Sequence, residues 1–462
     1  MVGASIGCPW GHLASPSSNF PAAIPVALPS SIPANVVPGH TLQAPLVTAG
    51  YGAGFALVCS LFFLWAIAAN FNDLLIRQFQ KALSLNRPEA GFVPFVFYIG
   101  YFLMALPAGL VMRRLGYRAG IITGLGLYAA GALLFYPAAE VRQYSAFLGA
   151  LFVIASGAAF LETAANPYSI AMGDPARAAL RANLAQSFNG LGVFIAPLIG
   201  SRFIFSGIEY KPDQLAQLPA AGQAAFHVSE ARTVQVPYLV LAGVILAIAT
   251  AFCMVRLPDL RAPTTTPRSG SALSLLKMPS LRWAVVAQFF YVGGQVSIWS
   301  YFIDLVKVLR PETPERTAAY VLSVSLATFM VGRFVGTALL KRVRADRLLF
   351  AYAIINVLLL AAALFTHGWV AIIAIGLTCF FMSIQFPTIF SFGVRELGNL
   401  AMVGSSYIVM AVVGGAVLPL VMGLIDHLTG RLQLALLSPM VCFGIVALYA
   451  SRLKAPTGTA GP

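Results

Sequence analysis

Leu148-Gly-Ala-Leu-Phe-Val-Ile-Ala-Ser-Gly-Ala-Ala-Phe160-Leu-Glu162-Thr-Ala-Ala-Asn166-Pro167 decides the fold class of this chain. The stretch is almost entirely apolar and as long as a helix that crosses a bilayer, which needs about 20 residues. One acid, Glu162, interrupts it. Comparable runs fall near 54–76, 91–112, 119–138, 145–167, 183–205 and 237–255, and again near 283–305, 318–340, 347–366, 369–391, 404–425 and 434–453. The pattern predicts an all-α membrane protein with twelve transmembrane helices.

Composition supports this outward from the single stretch. The 462 residues are 59% hydrophobic and only 10% charged, against about 25% charged in soluble domains. A chain this apolar could not cover its own surface, so lipid must cover it. The 41 Gly and 29 Pro suit transmembrane helices, whose neighbours satisfy freed backbone groups. The net charge of +14 does not point to nucleic acid. The basic residues sit in short loops, where they act as topology signals and contacts for anionic lipid. Their greater share lies in the loops that are cytoplasmic if the N-terminus is inside, as with Arg113, Arg114, Lys341, Arg342 and Arg344. Both termini are therefore expected in the cytoplasm.

The predicted organisation is an N-terminal tail over 1–50, a six-helix bundle over 51–255, a cytoplasmic linker over 256–280, a second bundle over 281–455 and a tail over 456–462. The first 50 residues carry no charged side chain, so they lack the basic region of a secretory signal. They are expected to be a disordered tail, or to follow from a start codon placed too far upstream. The segment near 206–236 reads as the longest internal loop. The halves repeat weakly: Ala196-Pro197-Leu-Ile-Gly200 in the fifth span answers Leu418-Pro419-Leu-Val-Met-Gly423 in the eleventh. A repeated six-helix unit is what alternating access about a midplane site requires.

Ionisable groups within spans are functional candidates by default, since each costs roughly 2.5–3.5 kcal/mol at the bilayer centre. Asp73 lies late in the first span and Glu162 late in the fourth. A protonated acid is far cheaper to bury than a carboxylate, so such a group can carry a proton. Asp73 could instead face water beside Arg77, and Glu162 could serve a purely structural contact. Amides share helix faces: Asn70 with Asp73, Glu162 with Asn166, Gln186 with Asn189, and Gln288 with Gln295, with Trp299 one turn beyond. Amides with donors and acceptors, together with indole rings, suit a ligand with many hydroxyls and apolar C–H faces, which is a sugar. Any single amide could also be glue between helices. Arg333 is expected to pair with an acid or to stay near the cytoplasmic interface rather than touch a ligand. Cys8, Cys59, Cys253, Cys379 and Cys442 have no metal-ligand spacing, and there is no phosphate-binding loop. No metal, no cofactor and no enzymatic activity are expected.

Several motifs carry a family resemblance: Phe62-Phe-Leu-Trp65, Asn70-Phe-Asn-Asp73, Phe97-Tyr-Ile-Gly-Tyr101, Phe160-Leu-Glu162-Thr-Ala-Ala-Asn166 and Asn183-Leu-Ala-Gln186-Ser-Phe-Asn189. In the second half they are Arg282-Trp-Ala-Val-Val-Ala-Gln288, Trp299-Ser-Tyr301, Phe381-Met-Ser-Ile-Gln385-Phe-Pro and Gly404-Ser-Ser-Tyr-Ile-Val-Met410. From about Phe55 to Leu453 the chain resembles the fucose–galactose–glucose:proton symporter family of the major facilitator superfamily. The resemblance implies the major facilitator fold, two pseudo-symmetric six-helix bundles, and proton-coupled import of L-fucose or a related hexose through the bacterial inner membrane, by a monomer. It implies Asp73 and Glu162 as coupling acids, with Glu162 the proton carrier. It sets Asn70, Gln186 and Asn189 at or near the sugar; Trp65, Gln288, Gln295, Trp299 and Phe386 complete the expected substrate-binding set. At Phe386 a fucose-transporting member has Tyr, which keeps glucose, galactose and N-acetylglucosamine open. The rival readings are a proton-coupled exporter, which would want a more apolar cavity, and a membrane-embedded transferase or receptor, which would want a catalytic cluster or a large soluble domain.

Overall fold

Large apolar residues cover the outer surface as well as filling the core, and many polar side chains are buried, unlike in a soluble protein. In the computed structural model Asn166, Asn183 and Gln288 are fully buried, whereas Phe365, Met254 and Leu420 are 74–81% exposed. That distribution is stable only where hydrocarbon meets the outer surface. The structure describes residues 45–83, 92–203, 214, 217–255 and 272–453. Most of the predicted N-terminal tail, most of the 256–280 linker and the 456–462 tail lie outside the described residues.

The first half contains α1 (Gly52–Leu83), α2 (Phe92–Leu115), α3 (Tyr117–Val141), α4 (Tyr144–Ala171), α5 (Ala178–Phe203), α6 (Ala220–Arg232) and α7 (Gln235–Met254). The second contains α8 (Pro279–Leu309), α9 (Glu315–Leu339), α10 (Ala345–Phe365), α11 (Gly368–Met382), α12 (Gln385–Val394), α13 (Ala401–Met410), α14 (Gly414–Thr429) and α15 (Leu437–Ser451). Among the described residues nine stretches are long and apolar enough to cross a membrane, and α1 opens with a shorter apolar run over Gly52–Ile67. α8 is long enough but carries Gln288 and Gln295 among its apolar residues.

Two features differ from the sequence reading. The expected loop near 206–236 contains helix α6, whose start is set by Pro219 and an Ala-rich first turn. Alanine is the strongest helix former, but α6 is too polar for a span and so reads as loop. The tenth span is broken into α11 and α12 at Ser383–Ile384, and the eleventh into α13 and α14 by a 3-10 turn over Ala411–Val413.

Within the first half α3 packs on α4 and α7, α1 on α5, and α2 on α4. Within the second, α8 packs on α14 and α15, α10 on α11 and α15, and α9 on α11. Glycines permit the closest approach. A Cβ on Gly157 of α4 would lie 2.5 Å from the Tyr128 backbone nitrogen of α3. A Cβ on Gly131 of α3 would meet the Ile154 nitrogen equally closely. Only a hydrogen fits, and the helices trade side-chain bulk for backbone contact. Gly157→Leu is therefore expected to lose the monodisperse peak in size-exclusion chromatography, since overpacking costs about 1–3 kcal/mol or more. Gly126→Ala, which meets nothing within 4 Å, should elute as the unaltered protein does; equal behaviour of both variants would refute this packing.

Candidate functional site

The polar side chains that the hydrocarbon cannot solvate meet where the two halves touch. α5 abuts α9 and α12, and α13 abuts α2 and α4. The contacting residues lie in the first turns of α5, α12 and α13 and the last turns of α2 and α9, toward the end of the molecule that carries Arg113, Arg114 and Arg342. There Asn183 Nδ2 donates to Thr388 Oγ1 (3.1 Å), Ser405 Oγ donates to the Thr163 carbonyl (3.1 Å), and the Ser187 and Thr337 hydroxyls lie 3.5 Å apart. Gly109 of α2 lets α13 approach, since a Cβ there would sit 2.9 Å from the Met402 carbonyl oxygen.

Farther from that end the seam becomes a charged network. Arg333, on α9 and only 3% exposed, donates through one guanidinium nitrogen to both the backbone carbonyl and Oε1 of Gln186, each at 2.7 Å. Gln186 Nε2 reaches Asn166 Oδ1 at 3.4 Å, and Asn166 Nδ2 donates to the Glu162 carbonyl at 2.9 Å. Glu162 is buried, shares a side-chain hydrogen bond with Tyr101, and interacts electrostatically with Arg333. The Arg333 guanidinium lies 4.7 Å above the Phe329 ring, a cation–π arrangement. Phe329 meets Trp299 edge-on at 5.3 Å. Tyr291, whose hydroxyl donates to the Met382 carbonyl at 3.0 Å, packs edge-on at 6.3 Å against Phe386.

The structure thus brings together Glu162, Gln186 and Trp299, with Phe386 at the edge of the same cluster. A second group forms on α1 and α5: Asn189 Nδ2 donates to the Phe62 carbonyl at 3.2 Å, and Phe62 packs against Trp65 at 4.4 Å. Asn70 bonds its own helix at the Ala66 carbonyl. Gln288 is fully buried with neither amide atom partnered, and Gln385 has an unpartnered Oε1. The Trp299 indole N–H has only the Cys379 thiol beside it, a weak acceptor. Such orphan groups cost about 1–3 kcal/mol each unless something else satisfies them. Gln295 is half-buried and joins none of these contacts. The Asp73 side chain lies outside the described residues.

The sequence assigned no role to Tyr101, and it led to the expectation that Arg333 pairs with an acid or stays near the cytoplasmic interface; Glu162 interacts with Arg333 electrostatically. The signal for Arg333 was present, since a guanidinium inside an apolar span needs buried partners. Its partner is the Gln186 amide, with Glu162 nearby, and not the interface.

The family model of the Major Facilitator Superfamily matches residues 46–419. The chain is 41% identical to the L-fucose-proton symporter of Escherichia coli (strain K12) over 88% of its own length and 94% of that protein's. It is 36% identical to a glucose/galactose transporter of Brucella abortus over 91% of its length and 98% of that protein's. The crystal structure of FucP in the outward conformation matches with a TM-score of 0.81 at 41% identity, covering 88% of this chain and all of that one. A buried charged seam between two sets of spanning helices, a family model spanning most of the chain and a relative this similar lead to one assignment: the chain belongs to the Major Facilitator Superfamily.

Proposed function

We propose that this protein imports a hexose, L-fucose or a related sugar such as glucose, galactose or N-acetylglucosamine, together with protons, by alternating access. The observation that supports the proposal is Glu162 buried on the same network as the amides of Asn166 and Gln186, the latter of which holds Arg333 across the seam. Sugar hydroxyls need donors and acceptors in one dry place; an importer driven by protons needs an acid in contact with that place. An exporter of apolar compounds has no use for orphan amides such as Gln288 and Gln385. The relatives named as sugar transporters support the same reading.

In this proposal Glu162 carries the proton and Asp73 is the second coupling acid. Trp65, Asn70, Gln186, Asn189, Gln288, Gln295, Trp299 and Phe386 line the sugar path. The moving bodies are 51–255 and 281–455, joined by the 256–280 linker. The protein acts as a monomer in the bacterial inner membrane with both termini cytoplasmic. The seam then closes the cytoplasmic side and the site opens outward, in keeping with the outward conformation of the solved relative. Ionised Glu162 is a counter-charge for Arg333; protonated Glu162 is not. Proton uptake therefore changes how firmly Arg333 is held against Gln186, and with it the closure of the seam.

Glu162→Gln mimics the protonated acid. In proteoliposomes it is expected to lose uphill uptake and sugar-driven alkalinisation while exchanging sugar at equal concentrations; Asp73→Asn should also lose the alkalinisation. Uphill uptake at the unaltered rate in the Glu162 variant would exclude it as the carrier.

Arg333→Gln removes the charge that bridges the halves. Distances between spin labels on α5 and α9 at the basic end should broaden or lengthen in this variant and stay narrow in Arg142→Gln, a control remote from the seam. Identical distributions in the two variants would mean that Arg333 does not hold the seam.

Phe386→Tyr restores a hydroxyl beside Tyr291, whose own hydroxyl is committed to Met382. Selection toward L-fucose should sharpen by about 0.5–1.5 kcal/mol, one hydrogen bond. Competition by L-fucose, D-galactose, D-glucose and N-acetylglucosamine measures it. An unchanged rank order and unchanged inhibition constants would show that this ring does not set selectivity.

A further inference from the structure

A cavity of about 340 Å³ opens in the second half, away from the seam, where three elements end together. Ser280 and Trp283 line it from the start of α8, Arg395 and Glu396 from the turn after α12, and Tyr449 and Arg452 from the end of α15. Its chemistry is that of an anion cradle. α8 is 31 residues long, begins at Pro279, and has neither a side-chain cap nor an acid in its first turn. Its first backbone N–H groups thus present an unmet positive end. Arg452 is stacked over the Trp283 ring at 5.3 Å. Among the described residues neither Arg395 nor Arg452 has a carboxylate partner. The second sign is independent of charge. Tyr449 is 5% exposed and its hydroxyl has no partner; the Ser280 hydroxyl is also buried and unpartnered. Two guanidinium groups, two orphan hydroxyls and a bare helix start converge on one space, opposed by the single carboxylate Glu396.

The first half shows what a filled corner looks like. There Arg181 of α5 is fully buried and its guanidinium donates to the carbonyls of Leu46, Ser169, Ile170 and Gly173, tying the entry to α1 to the end of α4. The eleventh span has no such residue, because α13, Ala-Met-Val-Gly-Ser-Ser-Tyr-Ile-Val-Met, carries no charge. The corner between α8, α12 and α15 is left open.

We propose that this cavity binds a phosphate group, held by Arg395 and Arg452, the start of α8 and the Tyr449 and Ser280 hydroxyls. Guanidinium groups grip phosphate by paired N–H bonds, and a helix start is a ready anion site. Glu396 opposes a doubly charged phosphate more than a singly charged diester, which favours a phospholipid headgroup over a soluble phosphate ester.

The test uses the full-length protein in detergent and three probes: dioctanoyl-phosphatidylglycerol, dioctanoyl-phosphatidylethanolamine and inorganic phosphate. Binding is read by native mass spectrometry for the lipids and by thermal shift for all three. At least one phosphate-bearing probe should bind about tenfold more weakly to the Arg395→Gln, Arg452→Gln double variant, with a smaller loss for Tyr449→Phe. Arg142→Gln, at the other end of the molecule, should match the unaltered protein. Glu396→Gln should tighten phosphatidylglycerol and inorganic phosphate, a gain that misfolding could not produce. Arginine-dependent binding of a phospholipid identifies the headgroup as occupant. Arginine-dependent binding of phosphate alone assigns the site to a soluble ester. Equal binding of all three probes by the unaltered protein and the double variant, or no tightening with Glu396→Gln, would overturn the proposal.

Discussion

Arg333 held against Gln186 is the interaction on which the rest depends. A guanidinium stays charged and brings several donors, and no water is available in hydrocarbon to meet them. Its burial obliges the neighbouring half to supply acceptors. Gln186 does so twice, through its backbone carbonyl and its side chain. Because Gln186 also reaches Asn166, and Asn166 bonds the Glu162 turn, the position of one arginine reports on the acid. The polar residues of α4, α5 and α9 form a connected set for this reason.

Two kinds of contact hold the molecule, and their difference in strength gives it a hinge. Inside each half, helices meet backbone to backbone through glycines such as Gly131 and Gly157, with dense apolar packing around them. Between the halves the named contacts are mostly hydrogen bonds, each worth only about 0.5–1.5 kcal/mol net, with one close glycine approach, Gly109 of α2 against α13. Together they sum to a few kcal/mol. Moving a two-state equilibrium from one extreme to the other takes about 5.5 kcal/mol. A sugar and a proton can supply that across the seam, but not against the packed interior of either half. In the proposed mechanism the bundles move as bodies because the weaker surface lies between them.

The spanning helices were legible because hydrophobic length is a local property, and Glu162 and Gln186 because polar residues stand out within such runs. What escaped was non-local or marginal. The Asn183–Thr388 bond joins residues 205 positions apart, and neither residue alone announces its partner. Tyr101 reads as one more aromatic in an aromatic-rich span until the fold sets it beside Glu162. Helix α6 is too polar to be a span and too short to show a strong face. Gln295 satisfied the helical spacing with Gln288 and still joins no contact of the cluster, because a seven-residue repeat puts two residues on one face without deciding how deep each sits. The break in the tenth span falls at Ser383, four residues before Pro387, which has no N–H to give the Ser383 carbonyl in a continuous helix. The break in the eleventh falls at Ala411–Val413, just before Gly414-Gly415. Both signals stand in the sequence, but each is equally at home in an unbroken transmembrane helix.

The two halves differ in chemistry, and in the proposed mechanism that difference is what makes coupling possible. Glu162 lies in the first half and Arg333 in the second. Were both in one bundle, protonation would change that bundle's internal energy and leave the attraction between bundles untouched. With the charges divided, the protonation state of the acid acts directly on the force across the seam. Gln186 adds the third term, since its amide is shared between Arg333 and Asn166 and is placed where a hydroxyl-rich ligand could compete for it. In the proposed mechanism a ligand that takes over the amide would loosen the arginine, and a proton on Glu162 would remove its counter-charge. Both act on the same contact, so each makes the other's effect on the seam larger than it would be alone.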